Sequence, residues 1–304
     1  MIFVTGANGF LGGSLVVALE NKGSTVKTLV RTSFGRQGEV AGALETLDSS
    51  DLEGVSCVIH CAARAHIMKD EVVDPIAEYR AVNVDGTLRL ARQAVDVGVK
   101  RFIFISSIKV NGEQTSSGSP YTADDIPKPL DAYGISKYEA EEGLKNLVLN
   151  TGMELVIIRP PLIYGPGMKG NLAAIKNLVD KSFPLPFAGI ENKRSLVSLD
   201  NLVDLIALCV THPDAKNQTF LVSDNEDVST TQLFQYVAEA RVKRLTMFKV
   251  PRTLMKFSLK LLGKTDLFER LFGSLQVDIT KTQELLNWRP RIGVKEGFRR
   301  AFKQ

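Results

Sequence analysis

Short apolar runs alternate with longer stretches of helical periodicity through the first two thirds of the chain. The runs at residues 102–106 (FIFIS) and 155–159 (LVIIR) are apolar on both faces, which is typical of a parallel sheet covered by helices on both sides. A weaker strand is predicted near Leu44–Leu47. The stronger predicted strands are Ile2–Thr5, Thr25–Val30, Val55–Cys61, Arg101–Ser106, Glu154–Arg159 and Phe220–Val222.

Between these runs, apolar residues recur at helical spacing. Three such groups predict helices, and they contain Leu11, Leu15, Ala18 and Leu19, then Leu88, Ala91 and Val95, then Leu144, Leu147 and Val148. Strand and helix in alternation predict an α/β protein with a doubly wound parallel sheet of the Rossmann type.

Prolines and glycines cluster after Pro160 and break regular elements. We therefore predict a dinucleotide-binding domain over residues 1–164, to which residues 196–223 return. Residues 165–304 are predicted to form a smaller, mostly helical C-terminal substrate-binding domain. Within these regions we predict a helix at Asp200–Val210 and a second helix that ends at Ala240 and begins with a capping box of Ser229 and Gln232.

A later helix, Thr253–Lys264, combines an apolar face with lysines elsewhere on its surface. The apolar face carries Leu254, Phe257, Leu261 and Leu262, and the lysines are Lys256, Lys260 and Lys264. We interpret this segment as an ordinary helix of the second domain. A basic amphipathic helix that lies on a membrane surface is the alternative.

Charge and composition exclude several classes of function. The chain has 304 residues, with 38 basic and 34 acidic side chains, and its net charge of +4 is spread along the sequence, so no nucleic-acid partner is predicted. The run before the first glycine is too short for a signal peptide, and no apolar stretch approaches the ~18 to 20 residues of a membrane span. We expect a cytoplasmic protein with no integral membrane span.

Cysteines and histidines are too few and too irregularly spaced for a disulfide framework or a metal site. The cysteines are Cys57, Cys61 and Cys209, and the histidines are His60, His66 and His212. We therefore predict packed or surface roles for these residues and no metal.

A glycine-rich turn follows the first strand directly and leads into a helix. Gly6, Gly9 and Gly12 allow a tight turn, let a pyrophosphate approach backbone N–H groups, and let the helix pack closely on the sheet. Its position between the first strand and the first helix predicts a dinucleotide site. At the end of the second strand, Arg31 stands where an acidic residue would accept the ribose hydroxyls of NAD, and Arg36 follows nearby, so we predict NADP, with NAD as the alternative.

Tyr133 and Lys137 lie four residues apart at the start of a predicted helix, on one face. An ammonium about 4 Å from a phenol favours phenolate by ~4 kcal/mol at an effective dielectric of ~20, or about three pKa units. The phenol could then exchange a proton with a sugar hydroxyl or ketone while hydride moves to or from a nicotinamide. Ser106 and Ser107 end an apolar strand at the edge where open α/β sheets bind ligands.

These features resemble the extended short-chain dehydrogenase/reductase superfamily, in particular its NAD(P)-dependent nucleotide-sugar branch. The motifs that carry the resemblance extend over nearly the whole chain: TGANGFLG, VIHCAAR, NVDGT, SSIKVNG, YGISK, RPPLIYGPG, RSLVSLDNL and LNWRP. The finer pattern is most similar to bacterial UDP-4-keto-6-deoxy-N-acetylhexosamine reductases of the quinovosamine pathway, whose relatives are often labelled UDP-glucose 4-epimerases.

The resemblance implies a role for each matching residue. Tyr133 would be the acid/base, Lys137 would bind the nicotinamide ribose and lower the phenol pKa, and Ser107 would hold the C4 oxygen. The implied cofactor residues are Gly6, Gly9, Phe10, Leu11 and Gly12 at the pyrophosphate, Asp48 at the adenine, and Ala62 and Ala63 along the cofactor. The remaining candidates are Asn83 as a structural prop, and Lys109, Asn171, Leu172 and Arg194 as substrate contacts beside Ser107.

The chain departs from the family pattern at three places. Ile108 and Lys109 replace the acidic pair of the dehydratases, which disfavours elimination of water. The arginine that relatives place near a C-terminal Ala-Asp pair has no clear counterpart, and Arg270 is the candidate substitute. The segment after Asp48 is short, which weakens its adenine assignment.

Reduction at C4 of a UDP-4-keto-6-deoxy-N-acetylhexosamine is the predicted reaction, because Arg31 favours an exchanging NADPH. The alternatives are a UDP-glucose or UDP-N-acetylglucosamine 4-epimerase and a non-catalytic NADP-binding redox sensor. The resemblance also implies a homodimer, formed by the helix at residues 88–97 and the helix that follows Tyr133.

Overall fold

The computed structural model describes residues 1–33, 35–64, 74–116, 118–168, 170–263 and 265–303, and for Asn171 and Asp266 it describes the backbone alone. His66 and Lys264 lie outside the described residues. Within the described ranges, no helix combines the length and apolar character that crossing a bilayer requires.

The centre of the molecule is a parallel sheet of seven strands in the order β3-β2-β1-β4-β5-β6-β9. A smaller sheet has the order β10-β8-β7. The strands are β1 (Ile2–Thr5), β2 (Val26–Val30), β3 (Glu39–Ala41), β4 (Cys57–His60), β5 (Arg101–Ile105), β6 (Glu154–Arg159), β7 (Leu162–Tyr164), β8 (Arg194–Ser198), β9 (Gln218–Leu221) and β10 (Asp227–Val228). The predicted doubly wound sheet is therefore confirmed.

Helices lie on both faces of the large sheet and make up most of the C-terminal region. They are α1 (Phe10–Asn21), α2 (Pro75–Arg80), α3 (Gly86–Asp96), α4 (Ala132–Val148), α5 (Asn171–Asp180), α6 (Leu199–Cys209), α7 (Thr230–Ala240), α8 (Arg252–Leu261), α9 (Thr265–Phe272), α10 (Thr280–Leu286) and α11 (Val294–Phe302). The helix predicted at residues 200–210 is α6, and the helix with the predicted Ser229–Gln232 capping box is α7.

Alternate residues of each central strand enter two different cores, which explains why the runs are apolar at every position. Val4 and Ile103 join the layer beneath α1 and α6. Phe3 and Phe102 join the layer beneath α3 and α4. The strands therefore hold both helical layers in place around one switch point between β1 and β4, where such sheets bind ligands.

The prediction of a strand near Leu44–Leu47 is wrong. The edge strand is instead Glu39–Ala41, which pairs with β2. Leu44 and Leu47 lie in a turn, in which the Leu47 N–H donates to the Ala43 carbonyl, and their side chains are buried in the α3–α4 layer. Apolar residues three positions apart here mark a turn that packs beneath a helix.

The small sheet was not predicted, because prolines and glycines flank its short strands. Around it, Tyr164, Phe234 and Phe298 form a separate core with α5, α7 and α11. After β8 the chain returns to the large-sheet region more than once. β9 joins the large sheet, and Trp288, after α10, is buried in the layer beneath α1 and α6.

The apolar face predicted for residues 253–264 is on α8, but it does not pack into the protein. Leu254, Phe257 and Leu261 are 55%, 61% and 73% exposed, whereas Met255 and Leu259 are buried against α9. The interpretation of α8 as an ordinary packed helix therefore holds for one side of the helix only.

Candidate active site

The glycine turn between β1 and α1 has the shape that a pyrophosphate requires. Gly6 has a φ of +69°, and a Cβ atom there would lie 2.8 Å from the Ala62 backbone nitrogen. At Gly12 a Cβ would lie 2.2 Å from the Gly6 carbonyl oxygen. Gly9 is exposed at the N-cap of α1, which has no side-chain cap, so the first N–H groups of the helix face outward. Side chains would fill this cradle, and the residues present therefore fit a dinucleotide phosphate.

The other predicted pyrophosphate residues, Phe10 and Leu11, form the first turn of α1 and are half-buried. Ala62 and Ala63 follow β4 directly, and the Ala62 N–H donates to the Thr5 hydroxyl at 3.2 Å. The structure thus brings the turn after β1 and the segment after β4 together at one edge of the sheet.

Arg31 lies immediately beyond β2 and is exposed, as is Arg36. The loop between them is held by the Glu39 carboxylate, which accepts hydrogen bonds from the Ser33 hydroxyl at 2.8 Å and from the Arg36 backbone N–H at 3.2 Å. The end of β2 therefore carries the Glu39 carboxylate as well as the two exposed guanidiniums.

Asp48 forms a local capping box in a short 3₁₀ turn. Its carboxylate accepts from the Ser50 N–H at 3.3 Å, and its own N–H donates to Asp51 at 3.0 Å. This turn leads almost directly to β4. The adenine contact of Asp48 stays a prediction.

Ser107, Tyr133 and Lys137 come together beyond the carboxyl end of β5. Ser107 precedes a 3₁₀ turn at residues 108–110, and its hydroxyl hydrogen-bonds the Tyr133 phenol. Asp131 caps α4 by accepting from the Gly134 N–H at 2.7 Å, which fixes the first helical turn and with it the phenol. Tyr133 is half-buried, and Tyr79 lies against its ring edge at 6.1 Å between centroids.

The pKa of Tyr133 lies above its usual range, chiefly because of burial and then because of the charge of Asp131, while the Ser107 hydrogen bond lowers it. The predicted shift toward neutrality is therefore wrong for the structure as it stands. The physical reason is that burial and the nearby Asp131 carboxylate disfavour the phenolate, effects that the spacing of Tyr133 and Lys137 does not reveal.

Lys137 is almost fully buried. Its ammonium donates to the Ile105 carbonyl at 2.9 Å and lies 4.5 Å from the centre of the Phe104 ring. Burial lowers the pKa of Lys137 to about 8. The amine is thus a titratable cation fixed by the last residue of β5.

A buried ionic network behind this triad was not predicted. Glu141 accepts from the Arg159 guanidinium at 2.9 and 2.5 Å and from the Ser106 hydroxyl at 2.5 Å. The Arg159 guanidinium also donates to the Asn111 amide oxygen at 3.0 Å. Ser106, unlike Ser107, therefore faces the interior. The spacing of Tyr133, Lys137 and Glu141 at i, i+4 and i+8 places all three along one helix face and could have identified Glu141.

Asn83 is buried and connects the β4 loop to α4. Its amide donates to the Ser136 hydroxyl at 3.0 Å and to the Arg64 carbonyl at 3.1 Å, and its oxygen accepts from the Arg64 N–H at 2.8 Å. The Ser136 hydroxyl donates in turn to the Tyr133 carbonyl at 2.8 Å. These contacts agree with the structural role that was proposed for Asn83.

The predicted substrate contacts lie in several elements. Arg194 begins β8, and its guanidinium donates to the carbonyls of Arg270 and Gly273 at 3.2 and 3.0 Å. The pKa of Arg194 is lowered by burial and then by the charge of Arg270, so two cations stand close together. Lys109 pairs with Asp131 and, at 3.3 Å, with Glu113.

Asn171 and Leu172 form the first turn of α5, after Gly170. The side chain of Leu172 is buried in the core that Tyr164, Phe234 and Phe298 form around the small sheet. A ligand would therefore meet the backbone of this turn. The position of the Asn171 side chain lies outside what the structure describes.

The C-terminal region reaches over this site. The Thr115 N–H donates to the Ser274 carbonyl at 2.9 Å, and the Tyr121 N–H donates to the Gln276 carbonyl at 2.9 Å. The segment that follows Gly273 therefore pairs with the loop that follows Ser107.

His60 and the three cysteines take packing roles. His60 is buried between the hydroxyls of Thr5 and Thr87, and burial lowers its pKa to about 3. Cys57, Cys61 and Cys209 form no disulfide bond, and burial raises the pKa of each thiol to about 12. Among the described residues, no group of three or more His, Cys, Asp or Glu side chains could hold a metal ion.

A doubly wound sheet with a glycine turn at its switch point and a Ser-Tyr-Lys triad defines an extended short-chain dehydrogenase/reductase. Residues 2–223 match the family model described as the NAD dependent epimerase/dehydratase family. The chain belongs to this family, and the resemblance stated from the sequence is confirmed.

Known relatives extend the match over the whole chain. A UDP-glucose 4-epimerase of Vibrio cholerae is 48% identical over 307 residues, which cover 99% of this chain and 94% of that protein. A solved UDP-glucose 4-epimerase of Thermotoga maritima with UDP-glucose has 24% identity and a TM-score of 0.78, covering 99% and 97% of the two chains. A UDP-glucuronic acid 4-epimerase of Bacillus cereus, solved with NAD, has 19% identity and a TM-score of 0.80, covering 99% and 94%.

Proposed function

We propose that this protein is an NAD-dependent epimerase that inverts C4 of a UDP-sugar. The 48% identity to a UDP-glucose 4-epimerase over nearly the full length of both chains carries the proposal. It favours the epimerase over the C4 reductase that the sequence analysis placed first. Ile108 and Lys109, in place of an acidic pair, argue against the dehydratase branch.

The site supplies the groups that this reaction needs. When bound, NAD would accept a hydride from C4 and return it. In its phenolate form, Tyr133 would take the proton of the C4 hydroxyl, and the phenol formed in this way would return that proton to the ketone oxygen, while the Ser107 hydroxyl orients the C4 oxygen. Lys137 would hold the nicotinamide ribose, and the N–H groups of the Gly6–Gly12 turn would hold the pyrophosphate.

On the substrate side, Arg194 and Arg270 would bind the diphosphate of the UDP group. Two neighbouring guanidiniums repel each other unless an anion lies between them, and Arg–phosphate pairs are strong and directional. The first turn of α5, at Asn171 and Leu172, would bind the same group through its backbone. We further propose that residues 1–164 with 196–223 bind the cofactor, and that residues 165–304 bind the substrate.

Tyr133→Phe tests the chemistry. It removes the acid/base oxygen and leaves the ring, so we expect turnover to fall roughly 10²- to 10⁴-fold with NAD binding retained. Turnover is followed by NMR of UDP-glucose and UDP-N-acetylglucosamine without added cofactor. A matched control is Tyr138→Phe, on the same helix. Retention of full turnover in Tyr133→Phe would refute the assignment.

A C4 reductase is the second candidate, because Arg31 and Arg36 leave cationic side chains exposed beyond β2, where a 2′-phosphate of NADP would lie. A reductase consumes NADPH with a 4-keto-6-deoxy sugar nucleotide and does not interconvert UDP-sugars unaided. Measuring both reactions, and the affinities for NAD(H) and NADP(H) in the wild type and in Arg31→Asp, separates the two candidates.

Two further proposals follow the family. The intact triad of Ser107, Tyr133 and Lys137 supports an enzyme over a non-catalytic redox sensor. A redox sensor would bind the cofactor equally well as the wild type and as Tyr133→Phe, and neither protein would show turnover. A homodimer through α3 and α4 is proposed because these helices pack side by side, with Leu88 tightly against Gly143. Light scattering determines the oligomeric state.

A further inference from the structure

One segment departs from the even spread of charge along the chain. Residues 241–264 contain eight lysines and arginines and no aspartate or glutamate, whereas the whole chain has a net charge of only +4. The mechanism proposed above uses none of them. The segment includes α8 and the loop that leads into it.

On α8, large apolar side chains are exposed to solvent. Leu254, Phe257, Leu261 and Leu262 expose 55%, 61%, 73% and 67% of their surface. We call these four residues the α8 face. Neighbouring apolar residues of the same helix, Met255 and Leu259, are buried with Phe268 of α9. The helix thus has two apolar sides, and the protein covers one of them.

The geometry of the helix directs the α8 face away from the protein. At about 100° per residue, Leu254, Phe257 and Leu261 fall within roughly 60° of one another, whereas Leu259 lies about 140° from Leu254. Lys260 falls about 60° from Phe257, and Lys256 falls about 100° from it, between Lys260 and the buried side of the helix. Lys260 therefore borders the apolar stripe.

Lysine and arginine side chains occupy the sides of α8 outside this stripe. Lys256 and Lys260 are exposed beside the α8 face. The Arg252 guanidinium lies 5.6 Å from the centre of the Phe268 ring, and the Lys256 ammonium lies 5.7 Å from the same centre, so both cations are held at the junction of α8 and α9. Apolar side chains bordered by cations are the pattern of helices that bind the interface of an anionic bilayer.

We propose that α8 binds the surface of lipid membranes that contain anionic lipids, with the α8 face inserted among the acyl chains and Lys256 and Lys260 at the headgroups. The exposed apolar area of the face is roughly 400 Å², about half of the ~800 Å² that each partner of a stable protein complex buries. Nucleic acid offers no apolar layer for three leucines and a phenylalanine. A bilayer matches both the charge and the apolar side chains.

Vesicle sedimentation of the full-length protein tests the proposal. Vesicles of phosphatidylcholine with 30% phosphatidylglycerol should pellet the protein, and pure phosphatidylcholine vesicles should pellet much less. Phe257→Glu should weaken partition on the order of tenfold or more. Lys256→Gln with Lys260→Gln should weaken it roughly fivefold per lysine, on the anionic vesicles only.

Matched variants in the large-sheet region serve as controls. Val17→Glu places the same charge at an exposed apolar position of α1, and Lys100→Gln with Lys216→Gln removes the same total charge. Both should pellet like the wild type. Because the α8 face lies outside the catalytic site, Phe257→Glu should keep wild-type turnover, so a failure of the proposed function would not mimic a failure of this proposal.

Three results would overturn the proposal. The first is the absence of pelleting on anionic vesicles. The second is an equal loss of pelleting in the α8 variants and in their controls. The third is a fall in the oligomeric mass of Phe257→Glu in light scattering without vesicles, which would make the α8 face a contact between copies of the chain.

Discussion

Two buried cations near the candidate active site, Arg159 and Lys137, have very different partners. Arg159 is paired with the Glu141 carboxylate through two hydrogen bonds, and neither side chain is more than 2% exposed. Lys137, one helical turn before Glu141, has a carbonyl and an aromatic ring as its neighbours, and its pKa is lowered to about 8.

The difference separates structure from chemistry within one site. A fully paired arginine stays charged and fixes the strands around it. A lysine without a closely bonded carboxylate destabilises the fold while it is protonated, but its charge is available to a ligand. We infer that the Arg159 network maintains the frame of the site and that Lys137 supplies its reactivity. Substitution of each cation in turn tests this division.

The largest effect is expected for Arg159→Met. This change leaves the Glu141 carboxylate buried without its partner and should lower the free energy of unfolding by about 3–5 kcal/mol. Urea denaturation measures it. Arg80→Met is the matched control, because Arg80 makes a similar two-bonded pair with Glu139 of α4 at the surface, and should change little.

A double variant sharpens the same test. Glu141→Leu added to Arg159→Met removes both charges and should recover part of the lost stability. If Arg80→Met and Arg159→Met were equally destabilising, the buried pair would have no special structural role.

Lys137→Met should have the opposite pattern, with turnover lost and stability kept or raised. Since the folded-state pKa of about 8 lies below the ordinary value of 10.5, the unfolded chain binds the proton more tightly between these values. The penalty from Lys137 is therefore complete below pH 8 and disappears as the pH rises to 10.5.

Urea titrations of the wild type and of Lys137→Met at several pH values measure this effect. The stability advantage of the variant should shrink by roughly 3 kcal/mol between pH 7 and pH 10.5. A constant difference across this range would show that Lys137 is not desolvated. Lys145→Met, at the surface of the same helix, should show no such trend.

The smallest effect is expected for Asn111→Ala. Asn111 accepts from Arg159 and donates to the Thr122 carbonyl at 2.8 Å, so its loss removes one partner of the buried Arg159 guanidinium and one partner of the Thr122 carbonyl. We expect a loss of about 1–3 kcal/mol in the free energy of unfolding with turnover largely retained. Asn146→Ala, on the exposed side of α4, should show no loss. Complete loss of turnover in a folded Asn111→Ala would place Asn111 in the chemistry.

The sequence predicted those features that depend on neighbouring residues. The strands at residues 2–5 and 154–159 match the structure, and the capping box at Ser229 and the glycine turn are present. Each is specified by local pattern: a run apolar on both faces, a side chain three residues from its partner, or a glycine that no other residue could replace. The meeting of Ser107 with Tyr133 followed from the topology of parallel sheets.

Features that depend on distant residues were missed. Arg159 of β6 pairs with Glu141 of α4, and no local sequence pattern predicts this pairing. The pKa of Tyr133 was misjudged because helical spacing alone does not reveal the burial that raises this pKa. β3 was misplaced because its three residues owe their conformation to β2 rather than to their own pattern.

The C-terminal segment contributes first to the core beneath α1 and α6 and then to the core around Tyr164. Thr282 donates to the Leu221 carbonyl at the end of β9, Trp288 is buried beneath the large sheet, and Phe298 and Phe302 then enter the core around Tyr164. This C-terminal segment therefore contributes side chains to both the core beneath the large sheet and the core around Tyr164. Proteolytic removal of this segment should therefore expose both cores at once, and neither core should stay folded on heating without it.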